Sequence, residues 1–191
     1  MQRTKLRNAI LAVLIAGGIA FFGYREYRSG LNYHLLAAAA NGELQEVRTL
    51  VARGAQVNAK FGGAGETALH RAVSYGRIEV VDYLISNGSD VNATNEEGWT
   101  PLISASYNGN IEIVHRLVSN GANVNAQESR HGFTPLTTAV LKGRVEVVKF
   151  LLNASADTRI PSKDGVTPLE RAKMEGNVQI IKLLETTAVQ K

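Results

Sequence analysis

Short clusters of branched apolar residues recur along the chain at a spacing of 33 or 34 residues. Each cluster contains one Glu or Gln, and a leucine follows three residues after it. The clusters are Ile78-Glu79-Val80-Val81, Ile111-Glu112-Ile113-Val114, Val145-Glu146-Val147-Val148 and Val178-Gln179-Ile180-Ile181, followed by Leu84, Leu117, Leu151 and Leu184. Apolar residues three and four apart share one face of a helix. The pattern predicts a series of short amphipathic helices.

Glycines recur with the same period in three phased series. The first is Gly65, Gly98, Gly132 and Gly165; the second is Gly42, Gly76, Gly109, Gly143 and Gly176; the third is Gly54, Gly88 and Gly121, with Ser155 in the next register. Phased series at one period indicate a repeat array.

Another helix, the first of each repeat, is predicted between the first and second glycine series, so the apolar clusters belong to the second helix of the repeat. The first helix begins at Thr67-Ala68-Leu69-His70, Thr100-Pro101-Leu102, Thr134-Pro135-Leu136 and Thr167-Pro168-Leu169. Thr can cap a helix N-terminus, and Pro suits the first helical turn. The third glycine series then closes the helix of the apolar clusters in a left-handed conformation.

Together these motifs resemble the ankyrin repeat family, of the bacterial type, over about residues 31–188. The resemblance implies an all-α repeat solenoid, an array of about five helix-turn-helix repeats with β-turn fingers. The repeats are expected at about 31–63, 64–96, 97–130, 131–163 and 164–188. The first and last are expected to act as caps, because the first lacks the Thr-Pro-Leu entry and the last stops after its second helix.

Three departures from the family pattern carry expectations. His70 alone keeps the His that follows Thr-Pro-Leu in the family, and we expect it to be a structural hydrogen-bonding residue. Ser155 stands where a left-handed Gly is expected, at a cost of about 1 kcal/mol. The finger around 127–131 should be longer than its neighbours, as a specificity element or as a tolerated insertion.

The N-terminus has the pattern of a membrane segment. Residues 1–8 are a basic flank, residues 9–24 are uncharged and mostly apolar, and residues 25–30 are a linker. Sixteen helical residues cover about 24 Å, slightly less than a span of about 20 residues, and Arg7 and Arg25 can extend to the headgroups. This predicts a transmembrane signal-anchor helix over 9–24. The alternative, a soluble core helix, is disfavoured by the basic flanks.

A cleaved signal peptide is the main alternative, with small residues at 16–18 or 18–20 as cleavage sites. The apolar run continues past both sites, which favours the anchor. The N-terminal excess of Lys and Arg predicts a cytoplasmic N-terminus and an extracytoplasmic array, periplasmic in a Gram-negative bacterium. Cleavage would instead give a secreted or periplasmic soluble protein. The array should be monomeric, although Ala12, Ala16 and Ala20 form a stripe that could associate helices in lipid.

Charge and composition narrow the partners. The formal net charge of +4 comes from residues 1–29, which hold five basic residues and one acidic residue; residues 30–191 hold 16 of each. A balanced array disfavours nucleic acid as a partner. The absence of Cys excludes disulfides, thiolate metal sites and a cysteine nucleophile.

No constellation of catalytic residues stands out. The four His residues fall in different repeat registers without metal-ligand spacing. Gly63, Gly65 and Ala68 match a dinucleotide-binding motif, but that interpretation needs a preceding strand and a βαβ unit. We expect no enzyme activity, no cofactor and no metal.

The resemblance implies that partners bind a concave face made of the fingers and the first helices. The predicted partner-binding residues are Glu66, Ser74, Tyr75, Glu96, Glu97, Trp99, Tyr107, Asn108, Arg130, His131, Phe133, Leu141, Lys142 and Lys163, with Val166, Met174 and Glu175 beside them. Trp99 and Phe133 are equivalent in adjacent repeats, so they should stand about 10 Å apart and act as binding hot spots. Alternatively, both rings pack on neighbouring fingers and stiffen the array.

The predicted function is non-catalytic protein binding by a module tethered to a lipid bilayer through residues 9–24. An immunity or inhibitor protein that blocks a toxic periplasmic enzyme is one alternative. A secreted soluble ankyrin protein is the other.

Overall fold

The computed structural model describes residues 30–189. The predicted anchor over 9–24, its flanks and the alanine stripe lie outside this range. Within it, no helix is both long enough and apolar enough to cross a membrane.

The described residues form ten helices. Helix α1 covers residues 30–41, and the others are α2 (Leu44–Ala52), α3 (Ala68–Ser74), α4 (Ile78–Ser86), α5 (Pro101–Asn108), α6 (Ile111–Ser119), α7 (Pro135–Leu141), α8 (Val145–Asn153), α9 (Pro168–Met174) and α10 (Val178–Val189). They confirm the all-helical repeat array predicted from the sequence.

The first helix of each later repeat begins where the sequence places a threonine cap. The side chains of Thr67, Thr100, Thr134 and Thr167 each accept a hydrogen bond from the backbone N–H three residues along. Such a cap stabilises a helix by about 1 kcal/mol. The repeated Thr therefore fixes where each first helix starts.

The helices stack in two layers. In one layer α3 packs on α5, α5 on α7 and α7 on α9; in the other α2, α4, α6, α8 and α10 pack in sequence. Fully buried leucines fill the space between the layers, among them Leu69, Leu102, Leu136, Leu84, Leu117 and Leu151. Burying a leucine side chain contributes about 2 kcal/mol. Each repeat thus completes its core only against its neighbours.

No β-strand occurs in residues 30–189, where Phe61 and Glu66 form an isolated antiparallel bridge. The stretch from Gly63 to Ala68 runs from the turn that this bridge closes to the first residue of α3. It therefore lacks the strand and βαβ unit that dinucleotide binding requires.

Candidate partner-binding face

The fingers are tight turns closed by backbone hydrogen bonds. The N–H groups of Phe61, Asn95, Glu128 and Ser162 donate to the carbonyls of Glu66, Trp99, Phe133 and Val166 respectively. The finger at 128–133 has one residue more than its neighbours at 95–99 and 162–166, as expected. The finger at 61–66 has the same extra residue.

Consecutive fingers are joined to one another through the backbone. The Glu96 N–H donates to the Ala64 carbonyl at 2.9 Å, and the N–H groups of Ser129 and Lys163 donate to the carbonyls of Glu97 and His131 at 2.8 Å. The fingers therefore form one continuous ladder. We call the surface made by this ladder and the first helices the finger face.

Glu128 organises the longer finger from inside. Only 2% of the residue is exposed, and its carboxylate accepts hydrogen bonds from the N–H groups of Arg130, His131 and Phe133 at 2.6, 2.6 and 3.1 Å. Burial alone would raise the pKa of this carboxyl, but the three donors and nearby His131 lower it below the usual value. In the shorter finger, Asn95 Oδ1 accepts from Glu97 and Trp99 in the same way.

His70 is buried, and each nitrogen of its ring makes a hydrogen bond. Its Nε2 lies 3.0 Å from the Trp99 carbonyl, which can only accept, so Nε2 carries the proton. Nδ1 then accepts from Thr67, whose side chain in turn caps the His70 N–H. Burial is the largest influence on the pKa of His70 and lowers it. The ring therefore serves as a neutral structural link between two repeats, as the sequence predicted.

Trp99 and Tyr107 form the central feature of the finger face. Their ring centroids lie 5.7 Å apart in an edge-to-face arrangement, and Tyr107 remains 40% exposed. The Lys142 ammonium stands over the Tyr107 ring at 4.4 Å. Exposed aromatic pairs supply rigid contact area at low entropic cost.

On one side of this pair lies a depression of about 420 Å³, which we call the aromatic cleft. It is lined by Trp99, Tyr107, His131, Phe133, Thr138, Leu141, Lys142 and Glu175. His131 stacks on Phe133 with centroids 5.0 Å apart, and the Arg171 guanidinium lies 5.6 Å from the same ring. Phe133 therefore contacts both a stacked imidazole and a guanidinium while it lines the cleft.

On the other side lies a depression of about 240 Å³, which we call the acidic cleft. It is lined by Glu66, Ser74, Asn95, Glu97, Trp99, Ser104, Tyr107 and Asn108. Glu66 is bound to Arg71 at 2.8 Å, and the Asn108 amide donates to the Ser74 carbonyl at 3.1 Å. The two clefts share Trp99 and Tyr107 as a common wall.

These clefts bring together ten of the residues predicted to bind a partner: Glu66, Ser74, Glu97, Trp99, Tyr107, Asn108, His131, Phe133, Leu141 and Lys142. Tyr75, Glu96, Arg130 and Lys163 line neither cleft. Glu96 and Lys163 join neighbouring fingers through their backbone, and the Lys163 ammonium also bonds to the Ser129 carbonyl. Trp99 and Phe133 line the same cleft, and their spacing of about 10 Å stays a prediction.

Sequence reasoning missed one register of the finger face. Arg71, Ser104, Thr138 and Arg171 each follow the capping Thr by four residues. Ser104 and Thr138 line the clefts, while Arg71 and Arg171 bind a glutamate and a ring that do so. The signal was available, because these positions vary in type while sharing a register.

A family model of ankyrin repeats, spanning three copies, matches this chain at residues 14–95, 35–128, 87–161 and 127–189. The chain therefore belongs to the ankyrin repeat family. Ankyrin arrays generally serve as protein-protein interaction modules, and this is the class of protein that the fold and the finger face define.

Several curated proteins are similar over part of the chain. The Notch-regulated ankyrin repeat-containing protein of Xenopus laevis is 36% identical over 73 residues, 37% of this chain and 64% of that protein. The mouse 2-5A-dependent ribonuclease is 38% identical over 71 residues, 37% of this chain but 10% of that protein. This chain spans less than two thirds of each, and these animal proteins do not support the bacterial type expected from the sequence.

Proposed function

We propose that this chain is a membrane-tethered binding module that captures a partner protein on its finger face. The observation that carries the proposal is the pair of adjacent clefts built around Trp99 and Tyr107. Both lie between α3 and α9, where the repeats have neighbours on either side. The partner-binding role fits the family, and the position of the clefts supports the finger face as the contact surface.

The energetic case rests on aromatic surface that the core does not use. Trp99 and Phe133 are half-buried, and Tyr107 is exposed, beside a core that Leu102 and Leu136 already fill. Burying such rings against a partner is worth several kcal/mol, and removing one at a hot spot costs about 2 kcal/mol or more. A partner would therefore gain most of its affinity at these three rings.

The N-terminal sequence supports the membrane tether. An uncharged run over 9–24 lies between Arg7 and Arg25, and the basic excess of the chain is confined to residues 1–29. Such a helix would hold the array close to the bilayer, since few residues separate it from α1. A partner in or near the same membrane then meets the array at high effective concentration.

The test is capture of binding proteins by the full-length chain, solubilised from membranes of its source cell. We expect Trp99→Ala/Phe133→Ala to reduce capture of the specific partner at least tenfold. Ile111→Ala/Val178→Ala, which removes exposed apolar side chains of the other helix layer, serves as the matched control and should leave capture unchanged. Circular dichroism must show that both variants keep native helix content; equal capture by both would contradict the proposal.

A further inference from the structure

We infer that the partner presents an extended segment with a basic side chain for the acidic cleft and an apolar side chain for the aromatic cleft. This inference rests on the proposed function and specifies the chemistry of the ligand. Its basis is the different electrostatic character of two clefts that share one aromatic wall.

The acidic cleft favours a cation. Glu66 is already paired with Arg71, but within residues 30–189 neither Glu97 nor the adjacent Glu96 has an ion-pair partner. Glu97 stands in the same cleft as the Trp99 ring. A guanidinium or ammonium there would gain a charge-assisted hydrogen bond and a cation–π contact together, whereas a carboxylate would be repelled.

The aromatic cleft favours an apolar side chain instead. Its lining holds one ammonium, Lys142, and one carboxylate, Glu175, so the two charges balance. Two rings of the cleft already have a cation beside them, since Lys142 stands over Tyr107 and the Arg171 guanidinium lies 5.6 Å from the Phe133 ring centroid. A second cation would meet these charges. Trp99, Phe133 and Leu141 line the same cleft and offer apolar surface, and about 420 Å³ is ample for a Leu or Phe side chain.

The spacing of the two ligand groups follows from the repeat. The clefts are displaced by one repeat, and neighbouring elements pack about 10 Å apart. An extended chain advances about 3.3 Å per residue. The basic and apolar side chains should therefore be about three residues apart.

The experiment selects nine-residue random peptides, displayed on phage, against the full chain in lipid nanodiscs. Binders to the Trp99→Ala variant are removed. We expect the enriched peptides to carry Arg or Lys about three positions from Leu, Ile, Phe or Tyr. A synthetic copy of the most enriched peptide is then titrated against the full chain. Trp99 is the only tryptophan, so its fluorescence reports occupancy directly.

Glu97→Lys should weaken binding of this peptide at least tenfold and should reverse the preference toward a copy with Glu in place of the basic residue. The matched control is Glu79→Lys, which makes the same charge change at an exposed position of α4. It should change the affinity for the peptide less than twofold.

Three results would overturn the inference: enrichment of peptides that lack a basic residue, no enrichment over the Trp99→Ala selection, or equal affinity of the two lysine variants. Partner capture that still depends on Trp99 and Phe133 would then leave the proposed function standing. Capture independent of both rings would remove the proposed function as well.

Discussion

Ser155 carries backbone strain that its counterparts in earlier repeats avoid. It lies in the left-handed region with φ of 64°, where Gly54, Gly88 and Gly121 stand in the equivalent position. This conformation costs a residue with a β-carbon about 1–2 kcal/mol relative to glycine. Glycine has a more flexible unfolded chain, which offsets part of that advantage. We expect Ser155→Gly to raise the free energy of unfolding by about 1 kcal/mol in urea denaturation followed by circular dichroism.

The matched control is the reverse change at the same register. A β-carbon built on Gly121 would meet no heavy atom within 4 Å, so Gly121→Ser should lower stability by a similar amount through φ alone. Hydrogen exchange should also be faster at the junction after α8 than at those after α4 and α6, and Ser155→Gly should slow it. Uniform protection at all three junctions would contradict the assignment of strain to Ser155.

The buried carboxylate of Glu128 gives the longer finger a pH-dependent stability. Its folded-state pKa is below its usual value, so the unfolded chain takes up this proton first as the pH falls. The stabilisation is complete above the unfolded pKa of about 4.3 and is lost as the pH falls through the folded value. Glu128→Gln keeps a single acceptor oxygen for three donors, so we expect a loss of about 1–3 kcal/mol at pH 7.

The difference between wild type and Glu128→Gln should shrink as the pH falls from 5 to 3, measured by urea denaturation at each pH. Glu170 supplies the control, because its carboxylate also accepts a backbone hydrogen bond, from Thr167, but at the surface. Glu170→Gln should cost less, since water replaces the lost bond. If the Glu128 variant lost no more stability than the Glu170 variant, the buried role of Glu128 would be wrong.

Residue roles differ in how far the sequence could predict them. Ser155 and His70 were accessible because their repeat registers define a backbone conformation and a partner. The structural role of Glu128 could not be predicted, since a glutamate in a turn is ordinarily solvated. Its carboxylate is buried because the turn places three backbone N–H groups around it, an arrangement without a local sequence signal.

At the scale of the element, close approach between fingers makes Gly98 irreplaceable. A β-carbon on Gly98 would lie 2.7 Å from the backbone nitrogen of Ser129, which bonds to the Glu97 carbonyl. Gly165 has a similar φ of 80°, but a β-carbon there would meet nothing within 4 Å. We expect Gly98→Ala to cost at least about 1 kcal/mol more than Gly165→Ala.

Urea denaturation measures both costs, and Trp99 fluorescence reports the local consequence. Gly98→Ala should shift the emission of the adjacent Trp99, while Gly165→Ala should leave it unchanged. Equal costs would mean that φ alone decides the effect, and that the ladder of fingers contributes little.

Helix starts were the most predictable elements, because each Thr supplies its own acceptor to the first turn. The hydrogen bonds that link neighbouring repeats were less predictable. Asn58 and Asn92 each donate to a carbonyl of the next repeat, Gly88 and Gly121, and accept from an N–H two residues further on. The recurrent Val-Asn-Ala marked these positions, but a side chain that reaches across to the next repeat requires the stacking distance, which the sequence does not contain.

At the scale of the whole molecule, the array is a series of nearest-neighbour interfaces with the clefts near its middle. The sequence could predict which residues share the finger face, since the repeat register separates core positions from finger positions. It could not predict that ten of these residues converge on two clefts while Glu96 and Lys163 join the fingers instead. That division depends on which residues donate backbone N–H groups to the preceding finger, and this is set by the stacking of the fingers.

The proposed membrane tether makes a prediction for the whole chain in its cell. Because the protein has no cysteine, a single introduced thiol reports its location without background. Ser119 is exposed at the end of α6, so Ser119→Cys should react with a membrane-impermeant maleimide applied to intact cells if the array is extracytoplasmic. Deleting residues 1–24 should abolish this labelling and release the protein from the membrane fraction, because the basic flank and apolar run that direct insertion are then missing.

Ser106→Cys controls for access rather than location, because Ser106 is fully buried and its replacement should react only after denaturation. Labelling of Ser119→Cys solely in lysed cells would place the array in the cytoplasm and reverse the predicted orientation. A labelled product outside the membrane fraction that has lost the residues up to 18 or up to 20 would instead establish cleavage. In that case the array would reach its partner by diffusion, and the high effective concentration that tethering provides would have to be replaced by affinity at the two clefts.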